Sequence, residues 1–179
     1  MSKIAVLCND GVEEIECLTV VDFCRRAGIE VITVSVTGKR QIMGAHQIVF
    51  HADEVYADMN FDEFDGIVYP GGPGTGAMGE KPGVKELAQK FLNNGKMLAA
   101  ICAAPGMISE TGILKEKHAT GYPGCKPEGG AIWSEDAADV DGNLVTGKGP
   151  GAAAEFAIEI IRYLAGDIKA EQIRTSTMM

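Results

Sequence analysis

Three short runs decide the architecture available to this chain. Ile4-Ala5-Val6-Leu7, Gly66-Ile67-Val68-Tyr69 and Lys96 through Ile101 are apolar almost throughout rather than alternating with polar residues. A strand with one face in water reads apolar, polar, apolar; a continuous run reads as a strand covered on both faces. Ile29 to Val36 adds a further strand, alternating in Val31, Thr33 and Ser35 but apolar throughout on the other face. Helical patterns lie between these runs, and strands alternating with helices argue an α/β fold with a mostly parallel sheet.

The intervening segments carry their own signals. Asn9-Asp10-Gly11 reads as a turn and helix cap, and Glu13 and Glu14 suit the positive end of the helix that follows. That helix should run to about Ala27 and stop at Gly28. Gly38 to His51 reads as a hairpin region with Ile48-Val49-Phe50 its clearest strand. Pro82 to about Asn94 reads as a helix, and Pro105 opens another that ends near Thr111-Gly112. Asp141-Gly142 is a hairpin turn between Ala138-Asp139-Val140 and Leu144-Val145-Thr146. Ala152 to Leu164 is expected to be the last long helix.

At 179 residues the chain fits a single domain, 1–179, able to bury roughly 70% of its unfolded surface. With 46% hydrophobic and 23% charged residues, disorder is excluded as the main theme. The net charge of -9 argues against docking on nucleic acid or anionic membranes. No apolar run is long enough to span a bilayer. The opening apolar run gives way after four residues to Cys8-Asn9-Asp10, too short for the core of a signal peptide. Five cysteines, at 8, 17, 24, 102 and 125, form no Cys-x-x-Cys pair. Free thiols in a reducing cytoplasm are the expectation.

One segment points to chemistry. In Ala99-Ala100-Ile101-Cys102-Ala103-Ala104-Pro105 a buried strand runs straight into a helix, with a cysteine at the junction. Ala100 and Ala104 flank it at two residues on either side. This is the small-x-nucleophile-x-small pattern of a nucleophile elbow, with alanine in place of glycine. Small flanking residues are needed because the turn is sharp and backbones approach closely. A helix N-terminus also favours thiolate. The competing reading is an inert, packed cysteine at a strand end.

Glu16 is the second anomaly. It shares a helical stripe with Val20, Phe23 and Ala27, where a carboxyl is unexpected. Burial would raise its pKa and let the protonated acid donate to a thiolate. The alternative is a glutamate at the stripe's edge reaching water.

Other features carry less. Gly74-Thr75-Gly76-Ala77-Met78-Gly79 matches G-x-G-x-x-G, but no acidic residue follows at the end of the next strand, as a dinucleotide site needs. A turn packed against another backbone is the better reading, and its N–H groups can serve as oxyanion donors beside Cys102. His46, His51 and His118 form no metal-like spacing and read as surface or packing residues; no metal is expected. Cys8, Cys17 and Cys24 read as packing. Cys125 follows Gly124 in a glycine- and proline-rich stretch and reads as exposed; a role in resolving an oxidised Cys102 is the less favoured reading.

These residues resemble the ThiJ/PfpI (DJ-one) superfamily, in the branch of the Parkinson-associated deglycase and its bacterial relatives. The resemblance runs along nearly the whole chain. It rests on Asp10-Gly11-Val12-Glu13-Glu14-Ile15-Glu16, Val21-Asp22, Arg25-Arg26-Ala27-Gly28, Tyr69-Pro70-Gly71-Gly72, the Cys102 segment, and Gly147-Lys148-Gly149-Pro150-Gly151 followed by Glu155-Phe156-Ala157. It implies a flavodoxin-like three-layer sandwich and a homodimer. It also implies Cys102 as a nucleophile oxidisable to sulfinic acid, Glu16 as its protonated partner, and the Gly72 and Ala103 N–H groups as the oxyanion site. Many members place a histidine before a proline after the elbow helix; here that dipeptide is Tyr122-Pro123. A phenol, titrating at about 10, is a poor general base, which weakens any Cys-His mechanism. His118 is four strand residues from Tyr122, roughly 13 Å away, too far to substitute simply.

The expected function is a cofactor-free, Cys-dependent enzyme of deglycase or glyoxalase type. Its substrates would be small reactive carbonyls or early glycation adducts. The alternative is a non-enzymatic redox sensor or chaperone, and a weaker one is an amidohydrolase or peptidase.

Overall fold

The computed structural model describes residues 1–179. In chain order the elements begin with β1 (Lys3–Cys8), α1 (Glu14–Arg26), β2 (Glu30–Ser35), β3 (Gln41–Met43), β4 (Val49–His51) and β5 (Glu54–Val55). Next come β6 (Gly66–Tyr69), α2 (Thr75–Gly79), α3 (Val84–Asn93), β7 (Met97–Ile101) and α4 (Ala104–Ser109). The chain finishes with β8 (His118–Ala119), β9 (Ile132–Trp133), β10 (Ala138–Asp141), β11 (Leu144–Gly147), α5 (Ala153–Ala165) and α6 (Asp167–Ser176).

Seven strands make the central sheet in the order β10-β11-β7-β6-β1-β2-β5. All neighbours pair in parallel except β10 with β11, which form an antiparallel edge hairpin. The apolar runs are the inner strands, as expected: β1, β6 and β7 are buried along nearly their full lengths. Alternate residues feed opposite faces. Ile4, Val6, Val68, Ala99 and Ile101 pack with Val20, Phe156 and Ile160 on one side, under α1, α5 and α6. Ala5, Leu7, Ile67, Tyr69 and Leu98 pack with Met78, Phe91 and Met107 on the other, under α2, α3 and α4. The molecule is therefore a three-layer α/β sandwich with the flavodoxin-like arrangement.

Several local expectations shift. α1 is capped by Glu13, whose Oε2 accepts the Glu16 N–H at 2.9 Å, and not by Asn9-Asp10. Asp10 instead accepts the Met43 N–H, and Asn9 Nδ2 donates to the Gly74 carbonyl, so these residues tie neighbouring loops together. The β10–β11 turn is Gly142-Asn143, since Asp141 pairs with Leu144. α5 is not the last helix: α6 follows it after Gly166. Thr75–Gly79, read as a glycine turn, is one short helix. Its approach to another backbone is as expected, because a Cβ on Gly74 would lie 2.1 Å from the Asp10 carbonyl.

The strand order places the site. From β1 the chain crosses to β2 on one side, and β6 returns on the other side of β1. A sheet reverses its winding at such a point, leaving a crevice beyond the strand ends where ligands bind. The segments after β1, β6 and β7 meet there.

Candidate active site

At the end of β7, Cys102 turns the chain into α4 with φ 65. A side chain with a Cβ rarely adopts this left-handed conformation, and the strain persists only where surroundings enforce it. The enforcing bonds are backbone: the Cys102 N–H donates to the Gly147 carbonyl at 2.9 Å, and the Cys102 carbonyl accepts the Tyr122 N–H at 2.8 Å. Ala100 and Ala104 are both fully buried, which is why they are small. α4 spans only six residues, so its aligned dipole is short. The favourable field at the sulfur comes instead from the Gly72 and Ala103 N–H groups, both directed at it.

Glu16 stands behind the cysteine and is entirely buried, so the reading of a stripe-edge residue reaching water is set aside. Its Oε2 accepts the Gly71 N–H at 2.8 Å. Its Oε1 has no aligned hydrogen-bond donor, although the Cys102 thiol adjoins the carboxyl and interacts with it. Gly71 lies between them: a Cβ there would sit 2.5 Å from the Cys102 Cβ and 2.7 Å from Glu16 Oε2.

Burial pushes the Glu16 carboxyl up to about 7; the Cys102 thiol and the Gly71 N–H act in the other direction, and Glu13 adds to the rise. Burial likewise pushes the Cys102 thiol up to about 12, with the Glu16 charge adding to it. The two shifts are coupled. Two negative charges are disfavoured side by side in a dry space. The carboxyl and the sulfur therefore hold one proton between them well above neutral pH. Protonation of Glu16 removes the charge that opposes the thiolate.

Cys102, Ala103 and Gly72 lie in the wall of a cavity of about 740 Å³, which Glu13, Thr75, Tyr122, Cys125, Lys126 and Pro150 also line. Tyr122 is half exposed, and its ring lies against Gly149 at the boundary with a second cavity. His118 sits on β8 with its backbone bonded to Asp141, away from the cavity, and no imidazole lines it. All five residues expected at the site (Cys102, Glu16, Gly72, Ala103 and Tyr122) are thus brought together, Glu16 from behind.

Two arrangements differ from what the sequence favoured. His46 Nδ1 lies 2.8 Å from Glu14 Oε2, and its backbone N–H donates to Glu14 Oε1 at 2.7 Å. With Glu13, these groups place one donor atom each within 4.8 Å of one another, the one cluster with metal-like composition. Both Glu14 oxygens already face His46, and Glu13 Oε2 caps α1. The second arrangement is the position of Cys125 on the same cavity as Cys102.

The fold and site define a class: a flavodoxin-like α/β protein whose strand-to-helix elbow carries a cysteine backed by a buried acid. Residues 2–163 match the DJ-1/PfpI family, and the chain belongs to it. It is 38% identical over 178 residues to protein dj-1beta of Drosophila melanogaster, covering 97% of this chain and 95% of that one. The crystal structure of Drosophila DJ-1beta superposes with a TM-score of 0.94, covering 100% of this chain and 99% of that chain, at 35% identity. A protein named deglycase from Pyrococcus abyssi is 30% identical over 90% of this chain and 99% of its own length. A glutathione-independent glyoxalase from Caenorhabditis elegans is 31% identical over 96% of this chain and 93% of its own. No helix is long and apolar enough to cross a membrane.

Proposed function

We propose that this protein is a cofactor-free, cysteine-dependent enzyme acting on small reactive carbonyls or early glycation adducts. The observation that carries this reading is the left-handed Cys102 elbow, with Glu16 behind it and two N–H groups aimed at it, opening on a cavity. The names of the Pyrococcus and Caenorhabditis relatives favour the same chemistry.

In the reaction, the Cys102 sulfur bonds to an aldehyde carbon and the carbonyl π pair moves onto oxygen. The Gly72 and Ala103 N–H groups stabilise that oxygen, and protonated Glu16 delivers the proton that makes a hemithioacetal. With methylglyoxal, the Glu16 carboxylate then moves the proton from the carbon bonded to sulfur onto the adjacent carbon, while the hydroxyl on the first carbon gives its proton to the neighbouring carbonyl oxygen. Water cleaves the resulting thioester, releasing the hydroxy acid and the thiol. Turnover of methylglyoxal and of glycated N-acetyl-cysteine by wild type and Cys102→Ser tests this. The variant is expected to lose at least about a hundredfold in rate, and equal turnover would sink the proposal.

The redox-sensor reading also has an observation in its favour: of five free thiols, only Cys102 and Cys125 reach the cavity. A peptidase or glutaminase reading lacks a base, since no histidine lines it. A homodimer in the cytoplasm completes the proposal. Exposed Ile15 and Leu18 on α1, with Met43, Ile48 and Val49 on the β3–β4 hairpin, offer an apolar face for a second copy. The hairpin is tied to α1 by Gly11 N–H to Met43 carbonyl and Ala45 N–H to Val12 carbonyl, both 2.8 Å.

A further inference from the structure

Three of the five cysteines are sealed in the core: Cys8, Cys17 and Cys24 have no exposed surface. Cys125 is different. It is only partly buried and shares the cavity wall with Cys102. Two backbone bonds lead from one to the other. The Tyr122 N–H donates to the Cys102 carbonyl at 2.8 Å, and the Cys125 N–H donates to the Tyr122 carbonyl at 2.9 Å.

Gly106 fixes the second contact. It lies about one turn of α4 beyond the elbow, a rise of roughly 6 Å from Cys102. A Cβ on Gly106 would stand 2.0 Å from the Cys125 carbonyl oxygen and 3.6 Å from the Cys125 Cβ. Only glycine lets the loop settle that close to the helix that Cys102 begins. The loop itself, between β8 and β9, holds Pro123, Gly124, Pro127, Gly129 and Gly130 and no regular element. A disulfide needs Cα atoms about 4.4–6.8 Å apart, so the bond forms when this loop brings Cys125 within that range of the elbow.

We infer that Cys125 is the resolving thiol for Cys102. A hydroperoxide is the oxidant: the Cys102 sulfur passes its proton to the Glu16 carboxylate and attacks the terminal oxygen, the O–O bond breaks, and the departing oxygen takes that proton to leave as an alcohol or water while Cys102 becomes sulfenic acid. The Cys125 sulfur then attacks the Cys102 sulfur, the S–OH bond breaks, water departs with the Cys125 proton, and a Cys102–Cys125 disulfide forms. A small dithiol reduces it back. The resolving step stops Cys102 from advancing to the irreversible sulfinic acid. The inference rests on Cys102 being the reactive sulfur of the proposed site but not on carbonyl turnover.

The test treats wild type, Cys125→Ser and Cys102→Ser with a few equivalents of hydrogen peroxide, at least the two that a sulfinic acid consumes, followed by peptide mapping without reduction. Wild type is expected to lose two free thiols and yield a Cys102–Cys125 cross-linked peptide. Cys125→Ser should gain two oxygens on Cys102, and dithiothreitol should restore carbonyl turnover to oxidised wild type alone. Sulfinic Cys102 in wild type with Cys125 still alkylatable overturns the inference. So does a disulfide elsewhere, between chains, or no oxidation of Cys102. Full carbonyl turnover by Cys102→Ser would remove the proposed function while leaving the disulfide measurement to stand by itself.

Discussion

Replacing Glu16 by glutamine removes a group that burial pushes up to about 7, from the 4.5 of an ordinary glutamate. A carboxyl with a raised folded pKa contributes stability that is fully present below its unfolded pKa and is lost as pH climbs to the folded value. Wild type should therefore lose up to about 3 kcal/mol relative to Glu16→Gln between those two pH values, 2.5 units at 1.36 kcal/mol each. Denaturant melts of both proteins across that range measure it, and a pH-independent difference would refute it. The same variant should drop kcat for methylglyoxal by about a hundredfold or more, because glutamine cannot carry the proton. Gly71→Ala pushes a methyl between the cysteine and the acid. It should cost about 1–3 kcal/mol in stability and abolish most carbonyl turnover, while Gly76→Ala, where a Cβ meets nothing within 4 Å, serves as the mild control. Cys102 and Glu16 were legible because each broke a local rule: a thiol at a strand-to-helix junction and an acid on an apolar stripe. The His46–Glu14 contact was not, because it joins residues 32 positions apart through loop geometry that leaves no periodic trace.

Elements show the same division. Strands β1, β6 and β7 were readable because burial on both faces leaves an unbroken apolar string. α2 was hidden by its glycines, which have poor helix propensity, and forms because its Met78 packs into the core. α6 was missed because its buried stripe is only Ala170 and Ile173. Much of its attachment is ionic, through the Arg174–Glu155 pair and Arg162 with Asp167 and Glu171. The start of α1 was misread by a few residues, since Asn9-Asp10 has capping chemistry but spends it on neighbouring loops. Glu13→Ala removes the actual cap and should destabilise the protein by about 1 kcal/mol. Thermal denaturation against wild type decides this, and a change within error would assign the capping role elsewhere.

Across the whole molecule, the alternation of apolar strands and helices sufficed for the layered fold, because both faces of a parallel sheet must be covered. It did not reveal which surface the proposed second copy would meet. The face of Ile15, Leu18, Met43, Ile48 and Val49 gives that question a handle. Leu18→Glu should convert a dimer to a monomer in light scattering, with the far-ultraviolet spectrum unchanged; a variant that stays dimeric places the interface on another face.

The active constellation is assembled from segments that follow β1, β6 and β7, three strands far apart in the chain but adjacent in the sheet. No stretch of nascent polypeptide can hold Cys102 beside Glu16 until those strands have found their parallel register. While the ribosome is still extending the chain, the Cys102 thiol therefore has ordinary reactivity, without its acid or its donors. Carbonyl turnover should accordingly appear late in refolding, after hydrogen exchange reports the central strands as protected. If the proposed function holds, reactivity toward aldehydes reports a completed sheet.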